Sequence, residues 1–116
     1  MTDRLSAKFA ALADPTRRAM LARLARGERT LADLAKPFEM TVPAVAKHLA
    51  VLERAGFVTR RKPRKSVARP AKLQVAALNE MADWIGRCRA HWEGSFDRLA
   101  DYLESAEQEG KSDARS

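Results

Sequence analysis

The chain has 116 residues, with 22 Lys and Arg against 15 Asp and Glu for a net charge of +7, one cysteine, and 46% hydrophobic residues. That length suits a single domain with a modest core, and a lone Cys88 excludes an internal disulfide. No run of about 18 apolar residues is present to span a bilayer and the start lacks a signal-peptide stretch, so the expected location is the cytoplasm, with no membrane partner.

Leu5 to Leu12 is a short apolar-periodic segment that predicts a first helix at about 5–12. Asp14-Pro15 is a cap followed by a first-turn proline, and it starts a second helix at about 15–26 through Leu21 and Leu24 to Gly27. Thr30 caps a brief third helix, about 31–36, carrying Leu31, Leu34 and Ala35. Pro37 ends it, and the turn Phe38-Glu39-Met40 leads into a fourth helix at about 42–55. Thr41 is its N-cap, Pro43 sits in its first turn, Met40 staples onto Val45, and Gly56 is the left-handed stop. Two helices joined by a tight turn make a helix-turn-helix.

Within the fourth helix Val45, Leu49 and Leu52 share one stripe and face a core, which turns Val42, Pro43, Ala46, Lys47 and Ala50 outward. A water-exposed face normally carries charged pairs; short side chains instead suit a helix that sinks into a major groove about 12 Å wide. The charge distribution points the same way. Residues 40–75 hold nine basic side chains and one acidic, residues 1–39 eight and five, and residues 76–116 five and nine. A basic middle beside an acidic end is a localised polyanion-binding surface, with a merely solvated basic face as the plainer alternative.

After Gly56 the runs Phe57-Val58-Thr59 and Val67 to Leu73 flank the polar stretch from Arg60 to Ser66, which predicts a β-hairpin wing over about 57–73. Pro70 has no N–H for a ladder and confines its strand to an edge. From Val75 to Glu107 the helical period returns, with Leu78, Ile85, Trp92 and Leu99 seven apart and Met81, Cys88, Phe96, Tyr102 and Leu103 beside them. Such a helix, roughly 45 to 50 Å at 1.5 Å per residue, is longer than a winged-helix body can cover, so its Trp92 and Phe96 end is expected to meet a second copy. A break near Gly86 or Gly94, folding back as two core helices, is the alternative. The single domain ends at about residue 109, and residues 110–116 read as a disordered tail.

The chain resembles the ArsR/SmtB family of bacterial winged-helix repressors over roughly residues 5 to 105. The resemblance rests on Phe9-Ala10-Ala11-Leu12-Ala13-Asp14-Pro15-Thr16-Arg17-Arg18 with Leu21 and Leu24, on Pro43-Ala44-Val45-Ala46-Lys47-His48-Leu49, and on Leu52-Glu53-Arg54-Ala55-Gly56-Phe57-Val58. It implies a mainly α fold with a small β-hairpin, a winged helix-turn-helix dimerised through its N- and C-terminal helices. It also implies a repressor that binds a near-palindromic operator and releases it when a signal, here an unknown small-molecule inducer, binds. The base-reading positions carried over are Val42, Pro43, Ala46 and Lys47, with Thr41 and His48 at the phosphate or helix-start end. Thr30, Ala44, Arg54, Arg60, Arg61, Arg64, Lys65 and Arg69 complete the expected DNA surface, and Leu5, Phe9, Leu78, Ile85, Cys88, Trp92, Phe96, Leu99 and Leu103 the expected dimer interface.

The sequence departs from the family pattern in several places. Many members carry Gln and Ser among the reading positions, whereas Val42 and Ala46 leave Lys47 and His48 as the hydrogen-bonding readers and shift specificity towards thymine-methyl contacts and DNA shape. His48 has a second reading as a buried brace between helix and wing. At the wing tip, where glycine is usual, stand Pro63 and the cations Arg60, Arg61, Lys62, Arg64 and Lys65, which suit phosphate or narrow minor-groove contact. The family's metal-binding cysteines are absent. On the last helix Asp83, Cys88, His91 and Glu93 are candidate ligands, but Cys88 lies in the apolar stripe, where a lone cysteine behaves as a small hydrophobe. No metal or other cofactor is therefore expected; oxidation of Cys88 at a dimer interface is a separate possibility. Nothing in the chain makes a catalytic constellation, so no enzyme is expected. A metal- or thiol-responsive repressor, a nonspecific architectural or RNA-binding protein and a helical adapter are the competing functions.

Overall fold

Side-chain caps start the first four helices. In the computed structural model, which describes residues 3–60 and 69–115 and side chains as far as residue 108, α1 spans Arg4–Leu12, α2 Pro15–Leu24, α3 Leu31–Ala35 and α4 Val42–Arg54. Asp3 accepts from the Ser6 amide at 2.7 Å and Asp14 from the Arg17 amide at 3.0 Å. Thr30 and Thr41 accept from the Asp33 and Ala44 amides, each at 3.2 Å. Each bond satisfies a donor that the first helical turn otherwise leaves without a partner. At the far end of α4, Gly56 takes φ +89°, the left-handed conformation that stops the helix. The second helix ends at Leu24, two residues earlier than its sequence pattern suggests, and a turn carries the chain to Gly27 at φ +147°.

Val45, Leu49 and Leu52 lie fully buried together with Met20, Leu34, Phe57 and Val58, so the stripe on α4 faces the core as its spacing requires. Leu5, Phe9, Met40 and Leu78 pack half-buried against that core. Among the described residues Lys8 is the buried charge: its Nζ lies 3.1 Å from Glu80 Oε2, and Glu80 Oε1 holds Arg4 Nη2 at 3.1 Å. The pairing meets the requirement that an ammonium taken from water find a counter-charge.

β1 (Val58–Arg60) and β2 (Ala71–Leu73) form an antiparallel hairpin in which Val58 faces Leu73 and Arg60 faces Ala71. In this two-stranded sheet β2 is an edge strand, as Pro70 suggests. Pro70 stands just outside β2, and the other side of Ala71 is taken by Arg29, through Ala71 N–H to Arg29 O at 2.7 Å and Arg29 N–H to Ala71 O at 3.1 Å. Because the proline precedes the strand, its missing N–H costs the ladder nothing.

α5 spans Val75–Arg115. It passes Gly86 and Gly94 without a break, and neither glycine has a positive φ. Its end lies beyond the expected 107, and residues 110–115 are helical where the sequence suggested a disordered tail. The apolar stripe stops near Leu103, but Glu107, Gln108, Glu109, Lys111, Ala114 and Arg115 are good helix formers that prolong a helix without burial. The chain divides into a body, Met1–Met81, whose core includes Ala77 and Met81, and a helical unit, Ala82–Ser116. In the helical unit Trp84, Ile85, Trp92, Phe96, Leu99, Tyr102 and Leu103 are exposed, while Cys88 is half-buried.

Candidate nucleic-acid interface

α3 and α4 start at side-chain caps, and Arg23 of α2 donates from Nη2 to the Asp33 carbonyl of α3 at 3.3 Å. Asp33 also pairs with Lys36 at 3.1 Å, and that side-chain bond, with a second from Thr30, holds its carboxyl below the usual range. Thr30 is thereby placed at the start of α3, half-buried, with its hydroxyl engaged in the cap.

From the cap to the middle of α4 the exposed positions are Thr41, Val42, Pro43, Lys47 and Ala50, with Ala44 and Ala46 half-buried beside them, and Glu53 and Arg54 are exposed at its far end. Val42 is 47% exposed, high for a large apolar side chain in the first turn of a helix. The result is a low apolar ridge at the positive end of the helix dipole, with one long cation, Lys47, on the next turn. Such a surface presents methyl groups to base edges and the positive end of the helix dipole to phosphate. Arg54 shares the side of Pro43, Lys47 and Ala50 but lies about 16 Å beyond Pro43 along the axis at 1.5 Å per residue. It lines a depression with Asp3, Arg4, Lys8 and Gly56.

His48 turns away from that ridge. Its ring is 21% exposed, and Nδ1 lies 3.3 Å from Arg17 Nη1 and 3.9 Å from Asp14 Oδ2. Of the two readings of this residue, the brace describes its surroundings, with α2 rather than the wing as the braced element. Arg17 also donates from Nε to the Ala11 carbonyl at 2.6 Å and from Nη2 to the Ala10 carbonyl at 3.1 Å. Arg18 Nη1 donates to the Leu12 carbonyl at 2.6 Å. Asp14 is held below its ordinary pKa chiefly by the Arg17 amide, with the charge of Arg17 adding to the effect. Sequence reasoning passed over Arg17 and Arg18 as site residues. The available signal was two arginines directly after the carbonyl end of α1, where cations are favoured.

At the wing, Arg60 ends β1 and Arg69 stands two residues before β2; both are half-buried, and Arg60 Nη2 donates to the Arg69 carbonyl at 3.5 Å. Gln74 Nε2 donates to Thr59 Oγ1 at 2.7 Å across the hairpin. Arg61, Arg64 and Lys65 lie outside the described residues. Arg60 thus serves the root of the hairpin as well as its charge.

The candidate ligands of α5 are not gathered: among the described residues no three His, Cys, Asp or Glu side chains converge on a metal-sized space. Glu93 is bound to Arg89 at 2.8 Å, and the His91 ring stands edge-on to Trp92 with centroids 6.3 Å apart. No helix of the described residues is long and apolar enough to cross a membrane.

Comparison with known proteins bears on the same surface. The family model described as a helix-turn-helix domain matches residues 12–61, from the end of α1 to the base of the wing. The transcriptional repressor SdpR of Bacillus subtilis (strain 168) is 31% identical over 77 residues, covering 66% of this chain and 83% of SdpR. The crystal structure of an ArsR family transcriptional regulator, RHA00566, is similar with a TM-score of 0.73 at 37% identity, over 78% of this chain and 98% of that one. An ArsR-like transcriptional regulator from Rhodococcus sp. RHA1 gives the same TM-score at 30% identity, over 83% of this chain and 89% of its own.

Proposed function

This chain belongs to the ArsR family of winged helix-turn-helix transcriptional regulators, and from that premise we propose that it is a cytoplasmic homodimeric repressor of a near-palindromic operator. It is a DNA-binding regulator and not an enzyme. The observation that carries the reading is the exposed face of small side chains at the capped start of α4, Thr41, Val42, Pro43 and Ala46, with Lys47 above them. In the proposed complex the ridge lies against base edges, Val42 meets a thymine methyl, and Lys47 donates to a guanine or a phosphate. The wing cations hold the flanking backbone, and shape contributes the specificity that few hydrogen bonds leave open.

The second half of the proposal is the dimer. Trp92 and Phe96 are 61% and 63% exposed, with ring centroids 6.2 Å apart, and Ile85, Leu99 and Leu103 extend the same seven-residue spacing. Large side chains so repeated are covered most economically by a second copy of the stripe. Release of the operator by a small-molecule signal belongs to the same reading. Loss of DNA from the purified complex when a low-molecular-weight cell fraction is added tests that part.

The test of DNA reading starts from DNA that the purified protein retains from its own genome, which yields an operator. Lys47→Ala should then weaken operator binding by about 1 to 3 kcal/mol and flatten preference over a scrambled duplex at the same salt. An equal loss on both duplexes would make Lys47 a phosphate contact. A wild-type protein with no preference would sink the operator reading in favour of a nonspecific architectural protein.

A further inference from the structure

Beside its buried stripe, the middle of α4 is tied by a side-chain bond from His48 that reaches back 31 residues to Arg17. We propose that Arg17 and His48 are a positioning pair: the guanidinium fixes the angle of α4 against the end of α1, and base discrimination by α4 depends on that bond although neither side chain touches a base. The proposal rests on the reading of α4 as the DNA-reading element.

An arginine has five N–H donors in a rigid fork and no acceptor. Here one edge is spent on the last carbonyls of α1, Nε to Ala11 and Nη2 to Ala10, and Nη1 faces His48 Nδ1 at 3.3 Å. Since the guanidinium only donates, Nδ1 must accept, so the imidazole proton resides on Nε2. Arg17 is itself seated by its backbone amide, which donates to Asp14 Oδ2 at 3.0 Å, and the same oxygen stands 3.9 Å from His48 Nδ1. One planar group therefore joins the carbonyl end of α1, the start of α2 and the side of α4. His48 directly follows Lys47, so a tilt of α4 about this contact displaces the groups that would meet bases. Hydrogen bonds to base edges weaken steeply with misalignment, whereas attraction to phosphate does not. The signature of a broken positioning bond is therefore reduced discrimination at nearly constant nonspecific affinity.

Asn places Oδ1 where His carries Nδ1 and keeps the acceptor; Leu removes it. Binding of His48→Asn, His48→Leu, Arg17→Lys and the Arg17→Lys, His48→Leu double variant is measured on operator and scrambled duplex at one salt concentration. His48→Leu should lower the operator preference by about tenfold, within the range that one major-groove contact supplies. His48→Asn should stay within about twofold of wild type, and His48→Leu should add less than about twofold once Arg17 is Lys, as coupled sites require. On the wild-type protein, the ¹⁵N shifts of the His48 ring should show Nδ1 unprotonated and accepting, a measurement that stands even if the Leu variant does not fold. Equal losses in the Asn and Leu variants, a full loss persisting in the Arg17→Lys background, or a proton on Nδ1 would each overturn the positioning pair. A Lys47→Ala variant that binds operator and scrambled duplex both as tightly as wild type would instead count against α4 as the DNA-reading element, leaving the bond geometry unaffected.

Discussion

Asp3 is exposed and Asp14 and Asp33 are half-buried, and each is held below the ordinary value of 3.8 by local bonds, first among them the Ser6 amide, the Arg17 amide and the Lys36 side chain respectively. A carboxyl whose folded pKa is depressed contributes stability that is present above its unfolded pKa and is lost as pH falls through the folded one. The midpoint of urea unfolding should therefore hold steady down to about pH 4 and then decline. Asn is nearly as good a cap as Asp. Changing the two cap residues Asp3 and Asp14 to Asn should thus alter neutral stability little and flatten part of the acid decline; a decline of unchanged steepness would assign it to other groups. These caps were legible because an Asp or Thr before a helix acts on amides within three residues. His48 was not, since its partner lies 31 residues away and becomes a neighbour only through the packing of α2 on α4.

Among the elements, the helices of the body were the most readable and the hairpin the least. The α4 stripe of Val45, Leu49 and Leu52, its Thr41 cap and its Gly56 stop are local signals that burial then repeats. The place of β2 depends on Arg29, more than forty residues earlier in the chain, and no pattern around Pro70 could announce that pairing. The extent of α5 eluded the sequence for another reason: hydrophobic period marks where a helix is buried, not where it ends. For the wing, replacing Arg60, Arg61, Arg64 and Lys65 together by Ala should lower affinity for every duplex alike. The slope of log K against log salt should fall by about 0.9 for each phosphate that the variant no longer neutralises. An unaltered slope would remove these cations from the DNA.

For the molecule as a whole, the proposed dimer makes function depend on assembly. Trp92→Ala with Phe96→Ala should give a protein of unchanged helical circular dichroism and half the wild-type mass by light scattering, since both side chains are exposed on the isolated chain. Its operator affinity should fall far more than its nonspecific affinity, because only a dimer presents two recognition helices about 34 Å apart. A dimer that survives the double change would move the interface elsewhere, for instance towards the half-buried Leu5 and Phe9 of α1. The opposed charges of the chain, basic at residues 40–75 and acidic at 76–116, were readable from composition, and they suit a DNA surface kept separate from an assembly surface.

Ala71, fully buried, is bonded to Arg29 on one side and faces Arg60 on the other. Two-stranded hairpins ordinarily open by local fluctuation at little cost in free energy. Here β2 cannot move away from the body without also pulling on Arg29, the residue before the Thr30 cap of α3. The amide protons of Ala71 and Arg29 should therefore exchange with solvent deuterium as slowly as that of Leu49, at the free energy of global unfolding. A wing drawn towards a phosphate would then transmit its load directly to the first helix of the helix-turn-helix.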